Sequence, residues 1–496
     1  MDKEIEAFLT SSKGFLEAPA GHGKTHTIGL CVQMCLDKEK QLVLTHTHAG
    51  VSSLKQKFQK LSINADKYVI ETITGFAQAF VLSFSPQSII PEMDDSNYFE
   101  EIVKNATRLF SYPQIQRIIS SSFNGLFVDE YQDCTMSQHL MISKLAELLP
   151  THIFGDPLQG IFDFNESLVN LGDDLQDYEH FCFLTIPQRW NIGNNCPALG
   201  ERIKEIRSFL INDEPFRIST DISANLAVIV RSSDFFAPVP NMEYYSVLRG
   251  LINQKNGSLL VVYPKYTDNG IPHGSTDECS NILPRFDYSH QVILLDAIDD
   301  RAYYRCAKLI DNEINTIKRA RLPINRIYNT LIALSFKKTD INNWVNTKLQ
   351  AYRVIRKQKL EEREQSLLLK DLIDEFIRNP SKHSIYPIIK LFSSQYKPKR
   401  KRVLSSILQC LESHILDDMT VYSSMIEYKN KQRRLIRRTD AKYIGSTLLT
   451  KGLEFDHVIV VDADKFPDKR NFYVAISRAK KSLTIITQTN DFCFLS

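Results

Sequence analysis

Long apolar runs are missing from this 496-residue sequence: none approaches the roughly 18 consecutive apolar residues of a bilayer-crossing helix, which excludes a membrane-spanning class. Paired cysteines are missing too. The nine cysteines (Cys31, Cys35, Cys134, Cys182, Cys196, Cys279, Cys306, Cys410 and Cys493) form no CxxC pair, so neither a disulfide framework nor a structural zinc site is expected, and reduced thiols in the cytoplasm are. The opening MDKEIEAFLT lacks a basic stretch followed by an apolar one, so no signal peptide is expected. No repeat of about 20–50 residues and no low-complexity linker is present. What remains is 43% hydrophobic and 24% charged, enough apolar material for a sizeable core, and the length suggests about three domains.

The net charge of +3 conceals an uneven distribution. From Glu313 to Arg438 there are 27 Lys and Arg against 12 Asp and Glu, while the remainder has 34 against 46. A basic middle inside an acidic frame points to a polyanionic partner, with solvated helical faces as the alternative. Two clusters stand out, Lys397 to Arg402 and Lys429 to Arg438; each suits phosphate backbone or an acidic protein surface.

Short apolar runs alternate with helical stretches over the first two hundred residues. Strands are expected at Phe15–Ala18, Gln41–Thr45, Gly125–Val128 and His152–Phe154, and a second series at Leu226–Val230, Ser258–Tyr263, Gln291–Leu295, Val458–Asp462 and Leu483–Thr487. Such interleaving predicts an α/β protein with two parallel sheets, the second interrupted by the basic, helix-rich segment. Ligands of parallel sheets sit beyond the carboxyl ends of the strands, so the polar residues after each run are the candidates for chemistry.

After the first run comes APAGHGKT (Ala18–Thr25) and an apolar helix. Strand, glycine-containing loop and helix start form the setting of a phosphate-binding loop. In it Ala20, Gly21, His22, Gly23, Lys24 and Thr25 would bind nucleotide, Lys24 would reach the β and γ phosphates, and the Thr25 hydroxyl would bind Mg²⁺. After the third run comes Asp129-Glu130-Tyr131-Gln132-Asp133. Carboxylates at a buried strand end require a cation or a partner; Asp129 is placed to hold Mg²⁺ and Glu130 to polarise a water.

With DEYQD at 129–133, GDPLQGIF at 155–162, KGLEF at 451–455 and FYVAISRAKKSL at 472–483, the chain resembles the UvrD/Rep class of superfamily 1 DNA helicases, in motif order and spacing. The resemblance implies two RecA-like lobes with ATP in the cleft between them, single-stranded or partially duplex DNA across them, and 3′→5′ movement. It further implies that Gln159 senses the γ-phosphate, that Arg189 and Arg478 reach the transferring phosphoryl, and that Glu454 contacts the ribose. His46, Phe76, Phe162 and Phe164 are the expected DNA contacts, with core packing the alternative for the last two. The expected domains are 1–84 with 121–185 (first lobe), 85–120 (small accessory insertion), 186–312 with 438–496 (second lobe) and 313–437 (basic helical insertion).

The sequence departs from the family's motifs at Glu4, Thr74, Leu448 and Asn165, positions where members carry an adenine-reading glutamine, two histidines and an arginine. The residues for hydrolysis are present, whereas several that couple hydrolysis to DNA are changed. The chain ends 18 residues after Arg478, so no fused nuclease is expected. The compact form resembles the helicase subunit of the Gabija anti-phage defence system, which implies an OLD-family nuclease as partner. A DNA-sensing regulatory ATPase subunit of a nuclease complex, with little unwinding of its own, is the alternative function.

Overall fold

Strands that are apolar at nearly every position must be covered on both faces, as in a parallel sheet flanked by helices. The computed structural model describes residues 2–86, 89–91, 97–161, 167–237, 241–275, 278–279, 282, 292–295, 301–315, 323–349, 351–352, 360–398, 400–413, 419–434 and 441–494, and it contains two such sheets. The first is built from β1 (Lys13–Glu17), β2 (Gln41–Thr45), β3 (Tyr68–Thr72), β4 (Gly125–Val128), β5 (Thr151–Gly155) and β6 (Glu179–Phe181) in the order β3-β2-β4-β5-β1-β6, every neighbour parallel. Glu17 lies opposite Gly155 and Val128 opposite Ile153, so the loops after β1, β5 and β4 emerge side by side at the carboxyl edge.

The second sheet comprises β7 (Leu226–Val230), β8 (Leu259–Tyr263), β9 (Val292–Leu294), β10 (Lys442–Ser446), β11 (Phe455–Val460) and β12 (Ala479–Thr487), in the order β9-β10-β8-β11-β12-β7, again all parallel. This is the fold of two RecA-like lobes. Three strands of these two sheets had no expectation in the sequence. β3 and β6 are edge strands, the former with three half-buried residues of five and the latter largely exposed, and β10 carries a Gly and two polar residues.

The chain divides into two compact units, Met1–Asp296 with Ile436–Ser496, and Ala297–Leu435. The first unit holds both sheets. The stretch 85–120 forms no separate body among its described residues. Helices Tyr98–Leu109 and Pro113–Ser122 bury Ile102, Val103, Ala106, Ile115 and Ile119 in one core with Leu126 and Val128 of β4. The two lobes share apolar surface as well: Ala20 and Leu158 pack in the same cluster as Trp190, Leu199 and Tyr473.

Among its described residues the second unit has helices and one strand pair of two residues each, with its own core. It starts before Glu313 because the helix Arg301–Asn315 presents Tyr303, Tyr304, Ala307 and Ile310 to that core. Of the basic clusters, Lys397, Lys401 and Arg402 are exposed, while Lys399 and the side chains of residues 430–438 lie outside the described residues. Lys429 is buried, its ammonium 3.0 Å from the centre of the Tyr303 ring, a cation–π contact that removes it from the candidates for phosphate binding. No described helix is long and apolar enough to cross a membrane.

A remote carboxylate fixes the last helix of this unit. Asp311 accepts from the Val421 and Tyr422 amides, both at 2.8 Å, satisfying donors that the helix Val421–Arg434 leaves unpaired at its start. Asp311→Ala is therefore expected to cost about 1–2 kcal/mol locally and to accelerate amide exchange in Val421–Arg434 by about 5- to 30-fold. Hydrogen exchange measured by mass spectrometry checks this; unchanged protection of that helix counts against the cap.

Candidate active site

The loop between β1 and the helix Lys24–Met34 turns at Gly21 (φ +74°) and Gly23 (φ +95°), left-handed positions that favour glycine. Lys24 is buried, and its ammonium donates to the Ala18 carbonyl at 2.8 Å and the Pro19 carbonyl at 3.4 Å, which curls the loop around it. His22 Nδ1 lies 3.0 Å from the Ala20 carbonyl. Burial, then the Lys24 and Arg207 charges, bring the His22 imidazole down to about 4, so it is neutral at physiological pH.

Behind this loop stand three carboxylates in five residues. Asp129 follows β4, its amide bonded to the Leu44 carbonyl, and burial followed by the Glu130 charge pushes its carboxyl up to about 7, against the opposing pull of Lys24 and the Thr25 hydroxyl. Glu130 is left-handed (φ +57°), with its amide on Asp129 Oδ1 at 2.9 Å. Burial raises its carboxyl, but Lys24 and Lys451 overcome this and hold it below the usual range, so Glu130 is ionised at neutral pH. Gln132 Nε2 donates to Glu130 Oε2 at 2.5 Å, and Gln132 Oε1 accepts from the Asp156 amide at 3.0 Å, tying DEYQD to GDPLQ.

The second lobe closes over these groups. Arg478, almost fully buried, donates to Gln159 Oε1 at 3.0 Å and to the Val474 carbonyl at 2.9 Å; burial, then the Arg189 charge, lowers it to about 10, which leaves it charged. Gln159 Nε2 donates to Asp156 Oδ2 at 2.8 Å, and Arg207 pairs with Asp156 Oδ1 at 2.8 Å. Lys451 forms an ion pair with Asp133 and donates to the Gln159 carbonyl. Burial nevertheless pushes the Asp133 carboxyl up to about 7.

Arg189 sits in the short helix Gln188–Asn191, with its amide on the Gly21 carbonyl at 2.8 Å. Its guanidinium pairs with Glu454 at 2.7 Å and donates to the Ser477 carbonyl. The Glu454 side chain is 48% exposed, so it is reachable by a ligand, and the Arg189 charge holds its carboxyl below the usual range.

The structure thus brings Lys24, Thr25, Asp129, Glu130, Gln159, Arg478, Arg189 and Glu454 to one cleft. The expected DNA contacts fare differently. Phe76 is 5% exposed and packs on Phe80, Phe110 and Phe123 at ring distances of 5.0, 6.0 and 6.2 Å, so it is a core residue unavailable to a base. His46 follows β2, but its Nε2 lies 3.3 Å from Cys134 Sγ, and burial, then the Lys451 charge, brings its imidazole down to about 3. Phe162 and Phe164 lie outside the described residues.

Sequence reasoning assigned no role to Lys451, Asp133, Tyr473, Trp190 or Arg207. The first four lie inside or beside motifs already singled out. Arg207, on the helix Pro197–Ile211, carries no motif signal.

Thr25 and Asp129 offer a hydroxyl and a carboxylate, hard oxygen donors of the kind Mg²⁺ takes from protein when phosphate and water complete its octahedron. The buried crowding of Asp129 against Glu130 is a negative field that such a cation would relieve, so the residues present fit it.

Comparison with known proteins agrees with these motifs. The UvrD/REP helicase N-terminal domain matches residues 90–177, and the UvrD-like helicase C-terminal domain matches residues 244–490, together about two thirds of the chain. Among solved structures the chain is similar to the Escherichia coli DEAH/RHA helicase HrpB, with a TM-score of 0.38 and 9% identity over 98% of this chain and 42% of that one. It is also similar to the Arterivirus nonstructural protein 10 helicase, solved in complex with DNA, with a TM-score of 0.27 and 13% identity over 56% of this chain and 53% of that one. The chain thus spans about half the length of those structures or less. No curated protein matches the sequence.

The Lys451–Asp133 pair yields a pH-dependent expectation. A carboxyl whose folded pKa is raised withdraws stability as pH climbs from its unfolded pKa toward the folded one; without Lys451 the Asp133 pKa rises further, and the withdrawal extends to higher pH. Lys451→Met should therefore lower the melting temperature more at pH 8 than at pH 6, with Asp133→Asn added to it restoring part of the loss. Equal losses at both pH values would count against the pairing.

Proposed function

The chain belongs to the UvrD/REP helicase family, and from that membership we propose that it hydrolyses ATP in the cleft between its two lobes to drive 3′→5′ movement along single-stranded DNA. The observation that carries the reading is the Arg478–Gln159 contact, which joins the lobes next to Lys24, Asp129 and Glu130. Catalysis of phosphoryl transfer is mostly positioning and charge stabilisation, and an arginine delivered by a second lobe supplies charge only when the lobes close.

In this reading Lys24 binds the β and γ phosphates, and Thr25 and Asp129 hold the Mg²⁺. Mg²⁺ bound by these two residues would supply positive charge to the phosphate oxygens. Glu130 orients the attacking water, its carboxylate kept ionised by the surrounding cations and steered by Gln132. Gln159 passes the state of the γ-phosphate to Arg478. Arg189 and Glu454, paired with each other on the second lobe, separate on binding so that Arg189 turns to phosphate and Glu454 to ribose.

A second reading, a DNA-sensing ATPase subunit of a nuclease complex, is favoured by Thr74. Its hydroxyl is engaged by Gln138 at 3.4 Å at a position where relatives carry a histidine. The narrower form of this reading is an anti-phage system of the Gabija type with an OLD-family nuclease. It draws on the modest size of the 85–120 segment, which packs within the first lobe's core. Strand displacement by the isolated chain separates a helicase from a sensor.

Lys24→Ala is expected to lower steady-state ATP hydrolysis by about 100-fold or more while leaving binding to a single-stranded oligonucleotide intact. Glu130→Gln should lower kcat by about 100-fold or more and retain nucleotide binding, because it keeps the shape and removes the charge. DNA-stimulated turnover surviving in the Lys24 variant would sink the assignment.

A further inference from the structure

The second lobe grips the phosphate-binding loop at three points. The Ala20 amide donates to the Tyr473 hydroxyl at 3.1 Å, the Arg189 amide donates to the Gly21 carbonyl at 2.8 Å, and Trp190 packs so close to Gly21 that a Cβ there would lie 2.6 Å from the indole. The second contact is made by backbone and the third by packing. Tyr473 supplies a side-chain hydroxyl, 453 residues away in sequence.

Tyr473 has little freedom to do anything else. It is 1% exposed on the helix Lys469–Ile476, and the Arg207 guanidinium lies 5.8 Å from its ring centre. Arg207 is held by Asp156, Asp156 by Gln159, and Gln159 by Arg478. The tyrosine that touches the loop at residue 20 is thereby anchored to the network expected to sense the γ-phosphate. A shift of the second lobe has to either carry the Ala20 amide along or break a buried hydrogen bond.

We propose that Tyr473 is a positioning residue whose hydroxyl sets the phosphate-binding loop from the second lobe, so that nucleotide affinity follows the position of that lobe and hence the binding of DNA. The proposal rests on the reading of the cleft as an ATP site.

The test compares the full chain with Tyr473→Phe, which removes the hydroxyl alone, and Tyr473→Leu, which removes the ring as well. A fluorescent non-hydrolysable ATP analogue with Mg²⁺ is titrated with and without a single-stranded oligonucleotide, and steady-state hydrolysis is followed in parallel. The phenylalanine variant is expected to bind the analogue about 3- to 10-fold more weakly, to lose at least half of the change that the oligonucleotide causes in the parent, and to raise KM by more than it lowers kcat. Parent-like affinity and DNA response in the phenylalanine variant, or a loss confined to the leucine variant, would show that the ring only packs and would overturn the proposal alone. A parent whose affinity ignores DNA overturns the coupling, and a parent that binds no nucleotide overturns the functional reading together with it.

Discussion

Asp156 has no exposure to water, and the joining of the two lobes depends on how it is satisfied. Burial alone would raise its carboxyl; Arg207, then Lys24, hold it below the usual range. One oxygen takes Arg207 and the Leu158 amide, and the other takes Gln159. Leaving a buried charge without its partner costs about 3–5 kcal/mol, so the first lobe can release Arg207 only if something else neutralises Asp156 or water reaches it. Closure of the cleft is thus tied to one carboxylate that lies outside the phosphate-binding loop but positions the glutamine facing it.

The same logic governs the three carboxylates of DEYQD. Asp129 and Asp133 are pushed up to about 7, while Glu130 between them is held down. The cations responsible come from different places: Lys24 belongs to the first lobe, and Lys451 and Arg478 to the second. In the closed arrangement the cations that offset the burial of Glu130 thus come from both lobes. The charge balance around DEYQD is therefore set by residues of both lobes together.

Much of this was legible in the sequence. Gln41–Thr45, Gly125–Val128 and Leu226–Val230 are strands over those bounds, because runs of four or five mostly apolar residues in a two-sided parallel sheet have no other place to go. β6, three residues of mixed character at the sheet edge, carries no such signal. Lys24 and Asp129 could be located because phosphate and metal chemistry restricts residue type and spacing. Arg207 could not, since its role arises from contact between lobes that no local pattern records. Phe76 shows the converse: its motif position suggested a base contact, but the helix Ile73–Phe84 turns that face toward Phe110 and Phe123. Lys429, one more cation in a basic run by sequence, lies over Tyr303 because the helix Val421–Arg434 packs against Arg301–Asn315.

The insertion of the helical unit constrains how the second sheet is assembled. The chain leaves β9 and returns at β10, and these two strands are parallel neighbours in register, Val292 beside Lys442. An ordinary parallel crossover needs a dozen or more residues; here the connection is an entire unit with its own core. β8 lies between β10 and β11, so both of its edges stay open until residues beyond the insertion arrive. Contacts of such sequence separation are slow to form, and an unpaired central strand of Leu, Val and Tyr is exposed to wrong pairing meanwhile. The first and last described helices of that unit, Arg301–Asn315 and Val421–Arg434, share one core and are tied by Asp311, so folding of the unit shortens the effective chain separation between β9 and β10.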